Sequence, residues 1–239
     1  MQNNGLSGQV VMVTGAGGNL GAAVASELAS SGARIVCVER SPDALEKTAA
    51  MLPADAEVLK LADVDLADGA ACRTAVEKAI AAFGRVDGLA NTVGGFRTGP
   101  VDEEGMEAWD ALFRMNALTA YAISAAVLKP MRAAGYGRIV HVAAAPGLKA
   151  GANQAAYAAS KSAVIRLTEA IAAEGRASKI SANCILPGTI DTPQNRAAMP
   201  NAKTDAWVQP AAIAKLVRYL VSGEAGLVTG AAIPATGNV

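Results

Sequence analysis

Tyr157 and Lys161 stand four residues apart in Asn153-Gln154-Ala155-Ala156-Tyr157-Ala158-Ala159-Ser160-Lys161, which reads as the start of a helix. At that spacing two side chains share one helix face, a turn apart. A free phenol has a pKa of about 10. A neighbouring ammonium stabilises the phenolate and brings the hydroxyl nearer to useful acid strength at neutral pH. The pair can then deliver a proton to a substrate atom. Tyr–Lys at this spacing is common by chance, so its meaning depends on what the rest of the chain brings to this helix.

The other stretch with chemical content is Val10-Val11-Met12-Val13-Thr14-Gly15-Ala16-Gly17-Gly18-Asn19-Leu20-Gly21. A run of apolar residues, mostly β-branched, reads as a strand buried on both faces. Glycines then turn the chain, and an apolar helix pattern runs from Leu20 through Leu28. Such a turn lets backbone approach a phosphate, and the helix N-terminus supplies free N–H groups. The plainer reading is a βα turn with no ligand. Gly-x-Gly-x-x-Gly spacing fails because Leu20 stands at its third glycine, and P-loop spacing fails for want of Gly-Lys-Ser/Thr. Thr-Gly-x-x-x-Gly-x-Gly fits except that Asn19 replaces the middle glycine. Asn is the non-glycine residue best able to enter the left-handed region. Gly15, Asn19, Leu20 and Gly21 are the candidate phosphate-binding residues.

A second strand follows, Arg34-Ile35-Val36-Cys37-Val38-Glu39. Its terminal carboxylate lies about 20 residues beyond the turn, where a dinucleotide site holds the adenosine ribose hydroxyls. Glu39 would repel a 2′-phosphate and favours NAD; Arg40 would attract one and keeps NADP as the alternative. A solvated strand end is the plain reading of Glu39.

Bulk composition narrows the class. The 239 residues suffice for one large α/β domain. A formal net charge of zero implies no nucleic-acid or acidic-membrane partner. No apolar stretch is expected to reach membrane-spanning length, and residues 1–8 are too polar for a signal peptide. Cys37, Cys72 and Cys184 form no CxxC pair and read as reduced core residues of a cytoplasmic protein. A single histidine excludes a multi-histidine metal site, so no metal is expected. That residue, His141, sits in the apolar run Arg138–Ala143 and reads as a hydrogen-bonded core histidine rather than an acid–base group.

Further along, Ser41 and Pro42 open a helix as N-cap and N1. Val58–Leu61 reads as a third strand, and Asp65 as a cap for the helix that runs to Phe83. Val86–Gly95 reads as a fourth strand and its turn, with Asn91 a candidate amide bridge and Gly94 small where the backbone must pass a ligand. Residues 96–108 read as a polar loop, and a long helix is expected from Trp109 to about Ala134. Asn116, within it, reads as a surface residue. Ile180–Leu186 gives a sixth strand; Trp207, Val208 and Pro210–Leu220 a last helix; Gly226–Pro234 a final turn and strand.

Taken together, the glycine turn, Asn91, Asn116, Tyr157 and Lys161 make the chain resemble the short-chain dehydrogenase/reductase family over nearly its whole length. The resemblance implies a single-domain, Rossmann-type doubly wound parallel sheet of about seven strands in the order 3-2-1-4-5-6-7, with helices on both faces. It places Asp63 and Val64 at the adenine ring and Asn91 and Gly94 beside the cofactor ribose. In the family an Asn at position 116 bends its helix and holds a water linked to the Lys. Lys161 would hold the nicotinamide ribose while Tyr157 protonates the substrate as hydride arrives. Pro187-Gly188-Thr189-Ile190-Asp191-Thr192 matches the family's P-G-x-x-x-T loop, with the Ile190 backbone and Thr192 hydroxyl on the carboxamide. A homodimer or homotetramer is implied as well.

One family residue is missing. The serine that polarises a substrate carbonyl should stand thirteen positions before Tyr157, and that residue is Ala144, between Ala143 and Ala145. Losing such a donor typically costs about 10²–10³ in rate for a developing oxyanion. The run Leu186–Pro200 is similar to dihydropteridine reductases, with their L-P-x-T-x-D-T-P-x-N-R-x-x-M-P, which also keep Tyr and Lys without the Ser. Three functions are consistent with this pattern. One is an NAD(P)H-dependent reductase of an electron-poor acceptor such as a quinonoid dihydropteridine. The others are a carbonyl or 3-oxoacyl reductase with a substitute donor, and a dinucleotide-binding sensor or assembly subunit. Residues 96–108 and the segment 188–209 would shape the substrate side, the latter as a loop or lid.

Overall fold

Strand β1 (Val10–Thr14) is buried along its whole length, and its side chains alternate between two cores. Val11 and Val13 face a layer with Leu20, Val24, Leu28, Ile213 and Val217. Val10 and Met12 face another with Val76, Ile123, Met131 and Ile171. A strand apolar on both faces is the sequence signature of a parallel sheet covered by helices twice. The computed structural model describes residues 5–237. Residues 1–4, half of the polar stretch 1–8, lie outside them, as do residues 238–239.

Seven parallel strands form one sheet in the order β3-β2-β1-β4-β5-β6-β7. The others are β2 (Arg34–Val38), β3 (Val58–Leu61), β4 (Gly88–Asn91), β5 (Gly137–Val142), β6 (Ile180–Pro187) and β7 (Ala232–Ala235). Helices α1 (Asn19–Ser30) and α8 (Pro210–Val221) pack together on one face. Helices α3 (Gly69–Phe83), α5 (Thr119–Ala134) and α6 (Ala155–Gly175) cover the other. Helix α2 (Pro42–Ala49) opens as the sequence indicates, with Ser41 Oγ accepting from the Ala44 N–H. The strand order reverses between β1 and β4, and the crevice at such a switch point is where α/β sheets bind ligands.

Several expected boundaries move. Asp68, not Asp65, caps α3, accepting from the Ala70 N–H. Helix α4 begins at Gly105 and runs to Leu112, so the loop after β4 is shorter than residues 96–108. A π-helical turn, Phe113–Leu118, joins α4 to α5 without a break. Trp207 and Val208 precede α8 rather than belonging to it; Val208 pairs with Ile190 in an isolated parallel bridge. The continuous rod Gly105–Ala134 is long and apolar enough to cross a membrane by length and composition, contrary to expectation. Its alanine-rich, apolar character has a local cause, since Ala122, Ile123, Val127 and Met131 are buried in the second core.

The sheet centre carries a directional chain of buried hydrogen bonds. Thr14 Oγ1 donates to Asn91 Oδ1 at 2.6 Å, leaving Asn91 Nδ2 to donate to His141 Nδ1 at 3.3 Å. Ser124 Oγ donates to the Ala120 carbonyl, so at 3.2 Å it accepts from His141 Nε2. Each oxygen and ring nitrogen in the chain thus has a defined role as donor or acceptor. Burial, aided by the Lys161 charge, pushes the imidazole down to about 4. His141 is the satisfied core histidine the sequence indicates, and Asn91 is the amide bridge.

Candidate active site

The glycine turn rests on one left-handed residue and one close approach. Gly15 has φ +69, and a Cβ at Gly21 would lie 2.0 Å from the Gly15 carbonyl oxygen, so helix α1 can seat here only without a side chain. Gly18 caps α1 with no side-chain hydrogen bond, which leaves the first N–H groups of the helix free for an anion. Asn19 turns its amide away, donating to Gln194 Oε1 at 2.7 Å on helix α7 (Pro193–Ala198). Leu20 points into the core.

Glu39 stands just past β2 beside this turn. Its Oε2 accepts from the Gly17 N–H at 2.9 Å and its Oε1 from the Arg40 N–H at 2.7 Å. Neither Gly17 nor Gly18 was singled out by spacing, yet the first orients the carboxylate and the second lines the cleft. A cavity of about 450 Å³ opens here, between the ends of the first four strands of the sheet and the helical rod. Gly15, Glu39, Arg40, Val64 and Gly94 line it. Asp63 does not: with φ +57 it faces a separate cavity of about 270 Å³ with Lys60, Thr74 and Lys78. Asp65, expected as a helix cap, lines the main cavity instead and pairs with Arg114.

Asn116 is buried at 1 % exposure, not on the surface, because the π turn swings it inward. Its Oδ1 accepts from the Gly95 N–H at 2.8 Å, and its Nδ2 donates to the Gly95 carbonyl and to Ser160 Oγ. It thus clamps the loop after β4 to helix α6. Beside it, a Cβ at Gly94 would lie 2.8 Å from Lys161 Nζ and 3.0 Å from Asn116 Oδ1. Gly94 is therefore where backbone, ammonium and amide crowd together.

Lys161 is buried, and its Nζ donates to the Val142 carbonyl at the end of β5 at 3.0 Å. Among the described residues this is the one hydrogen bond the ammonium makes, so it keeps donors for ligand oxygens. Burial pushes its pKa down to about 8 and that of Tyr157 up to about 12. Desolvation thus outweighs the acidifying effect expected for the phenol, because Lys161 is buried, Tyr157 is half-buried and no Tyr157–Lys161 hydrogen bond forms. Phe96 meets the Tyr157 ring edge-to-face, with centroids 4.8 Å apart. Ala143 and Ala144, immediately after β5, are buried and offer no hydroxyl.

The substrate-side segment is braced rather than loose. Gly188 N–H donates to the Ala235 carbonyl, Asp191 N–H to Val208 O, and Val208 N–H to Thr189 O. Thr192 Oγ1 caps α7 by accepting from Asn195 N–H, and Asn195 Nδ2 donates to the Ile190 carbonyl. Asp191 binds Arg196 through both oxygens and accepts from Gln209, which holds its carboxyl down at about 2. No cluster of three or more His, Cys, Asp or Glu suited to a metal ion occurs among the described residues.

The residues present fit a dinucleotide. The glycine turn would cradle the phosphates, Glu39 would meet a ribose diol, and Lys161 has donors to spare beside a Cβ-free backbone. Comparison with known proteins points the same way. Residues 9–203 match the short chain dehydrogenase family model. The chain is 33 % identical to D-threitol dehydrogenase of Mycolicibacterium smegmatis, covering 95 % of this chain and 90 % of that protein. It is 32 % identical to acetoacetyl-CoA reductase of an Acinetobacter species, covering 97 % of each. The crystal structure of levodione reductase superposes with a TM-score of 0.91 at 30 % identity, covering 97 % of both chains. A glycine-turn cleft, a Tyr–Lys helix face and near-full-length similarity together place the chain in the short-chain dehydrogenase family of NAD(P)-dependent oxidoreductases.

Proposed function

We propose that the protein reduces an electron-poor, conjugated cyclic acceptor, of which a quinonoid dihydropteridine is the model, with Tyr157 as the proton donor. Two observations support this: Ala144, at the sequence position where the resemblance puts a carbonyl-polarising hydroxyl, is buried and has none, and Phe96 packs against the Tyr157 ring. An acceptor that draws hydride unaided loses little when that donor is missing. A reduced nicotinamide bound in the cleft would supply the hydride. Tyr157, held protonated by burial, gives its proton to the basic atom left on the substrate. Lys161 positions the ribose from the same helix face, and Asn116 fixes the loop that carries Phe96. Pro187, Gly188, Ile190 and Thr192 form the carboxamide side, and segment 188–209 the substrate-side wall. Glu39, already turned to the Gly17 amide, supports NAD over NADP.

Two of the relatives named above, acetoacetyl-CoA reductase and D-threitol dehydrogenase, favour a second reading, reduction of an ordinary carbonyl with another group in place of the serine. We read the working form as a cytoplasmic homodimer or homotetramer, supported by three buried free cysteines and by exposed Met106, Trp109, Leu118 and Tyr121 along the rod. NADH oxidation with quinonoid dihydropterin and with a 3-oxoacyl thioester separates the two substrate readings. Pterin turnover no faster than that of Tyr157→Phe removes the first. Under the first reading Ala144→Ser raises oxoacyl reduction at least tenfold from a weak start; strong wild-type oxoacyl turnover supports the second.

A further inference from the structure

Arg114 was not singled out by sequence pattern, and the reaction described above makes no use of it. It lies in the π turn, which adds one residue to the helical repeat and so lets Arg114 and Met115 face the cavity while Asn116 turns to the core. From there its Nη2 reaches Asp65 Oδ2 at 3.0 Å. Asp65 belongs to the loop after β3 and is itself fixed by accepting from the Ala67 N–H at 2.9 Å. The two walls of the cavity, 49 residues apart in sequence, are joined at this point alone among the described ion pairs. Both side chains are more than half exposed, so the pair sits on the rim and not in the floor.

We propose that Arg114, held by Asp65, is a clamp whose planar guanidinium covers the adenine base of the bound cofactor. Position argues for the base over the phosphates. The sheet order puts the β3 end two strands from the glycine turn, about 10 Å away at the usual strand spacing. The phosphates belong at that turn, so the Asp65 end of the cavity is left to the adenosine. A guanidinium stacks on an aromatic face and keeps its edge for a carboxylate, which a lysine cannot do. Arg40, the other cation lining the cavity, follows Glu39 at the ribose end and does not reach Asp65 within ion-pair distance.

The inference rests on the dinucleotide reading of the cleft, and binding measurements separate the two. Dissociation constants for NADH, ADP-ribose and reduced nicotinamide mononucleotide, which has no adenine, are measured by fluorescence or calorimetry. Arg114→Ala should weaken NADH and ADP-ribose about three- to tenfold, as a stacked cation on a partly exposed site does, and leave the mononucleotide within twofold. Arg114→Lys should resemble Arg114→Ala, and adding Asp65→Asn to Arg114→Ala should cost nothing more. Unchanged NADH binding in Arg114→Ala overturns the clamp, as does equal weakening of the mononucleotide, which would assign the guanidinium to phosphate. Wild-type protein that binds none of the three overturns both the clamp and the dinucleotide reading. Arg114 is exposed, so matching thermal melts of wild type and variant are expected.

Discussion

Replacing Gly94 by alanine tests whether Lys161 acts through its exact placement or merely through its charge. The added Cβ would stand 2.8 Å from Lys161 Nζ and 3.0 Å from Asn116 Oδ1. Nonbonded heavy atoms settle at about 3.5–4.0 Å, so the ammonium has to retreat by at least about 0.7 Å. It is buried and tied to the Val142 carbonyl, and Asn116 is committed to Gly95 and Ser160, so neither has an easy direction to move. Misplacing a positioning group by about 1 Å can cost on the order of 10²-fold in rate. The expected loss in kcat/KM is therefore about 30- to 100-fold, equivalent to about 2–2.7 kcal/mol at 1.36 kcal/mol per tenfold. Gly99→Ala in the same loop is the control, because its Cβ would meet nothing closer than 3.5 Å. Steady-state rates of both variants, with thermal melts to establish folding, decide the matter. A folded Gly94→Ala enzyme within threefold of wild type would refute the placement argument.

Two further outcomes follow from the buried framework. His141 titrates near 4 in the fold against about 6.5 unfolded, so the fold favours the neutral ring. Its contribution is complete above pH 6.5 and drains away as pH falls toward 4, up to about 3 kcal/mol from the linkage relation; urea melts at pH 7 and pH 4.5 should show it, and His141→Asn should flatten the difference. Gly21→Ala sets a Cβ 2.0 Å from the Gly15 carbonyl, a backbone overlap no rotamer relieves. Overpacking of this kind costs about 1–3 kcal/mol, and NADH affinity should fall with it because the phosphate turn itself must shift; an unchanged melt and dissociation constant would count against the close seating of α1.

What the chain discloses before folding is mostly local. The β1 run, its glycines and the first helix are contiguous, so their pattern needs no tertiary information, and Glu39 is legible because it follows a recognisable strand at a fixed distance. Asn116 is different. By propensity a mid-helix Asn belongs at the surface, and only the π turn, a product of packing against α6 and Gly95, brings it inside. The same turn concealed Arg114, since a period of 3.6 assigns neighbouring residues to different faces. Asp65 rather than Asp63 reaches the main cavity, and Asp68 rather than Asp65 caps α3; Asp63 takes a positive φ and faces the smaller cavity, which no spacing rule carries. The phenol pKa also went the other way, since an (i, i+4) pattern registers a neighbouring charge but not the dryness around it. That a serine belongs at Ala144 is an expectation from the family resemblance, counted back from Tyr157; the fold shows only that the residue is buried.

The proton chain through Thr14, Asn91, His141 and Ser124 has a mechanical consequence. It stitches β1, β4, β5 and the rod together across the very seam where the sheet changes direction, with every donor already assigned. Prising those strands apart would strand several dry polar atoms at once, at about 1–3 kcal/mol each. Any breathing that admits a ligand must then fall to the outer walls, where Asp65 meets Arg114 and Asn19 meets Gln194 through contacts that water can readily replace. A crevice built this way should open first at its rim, not at its floor.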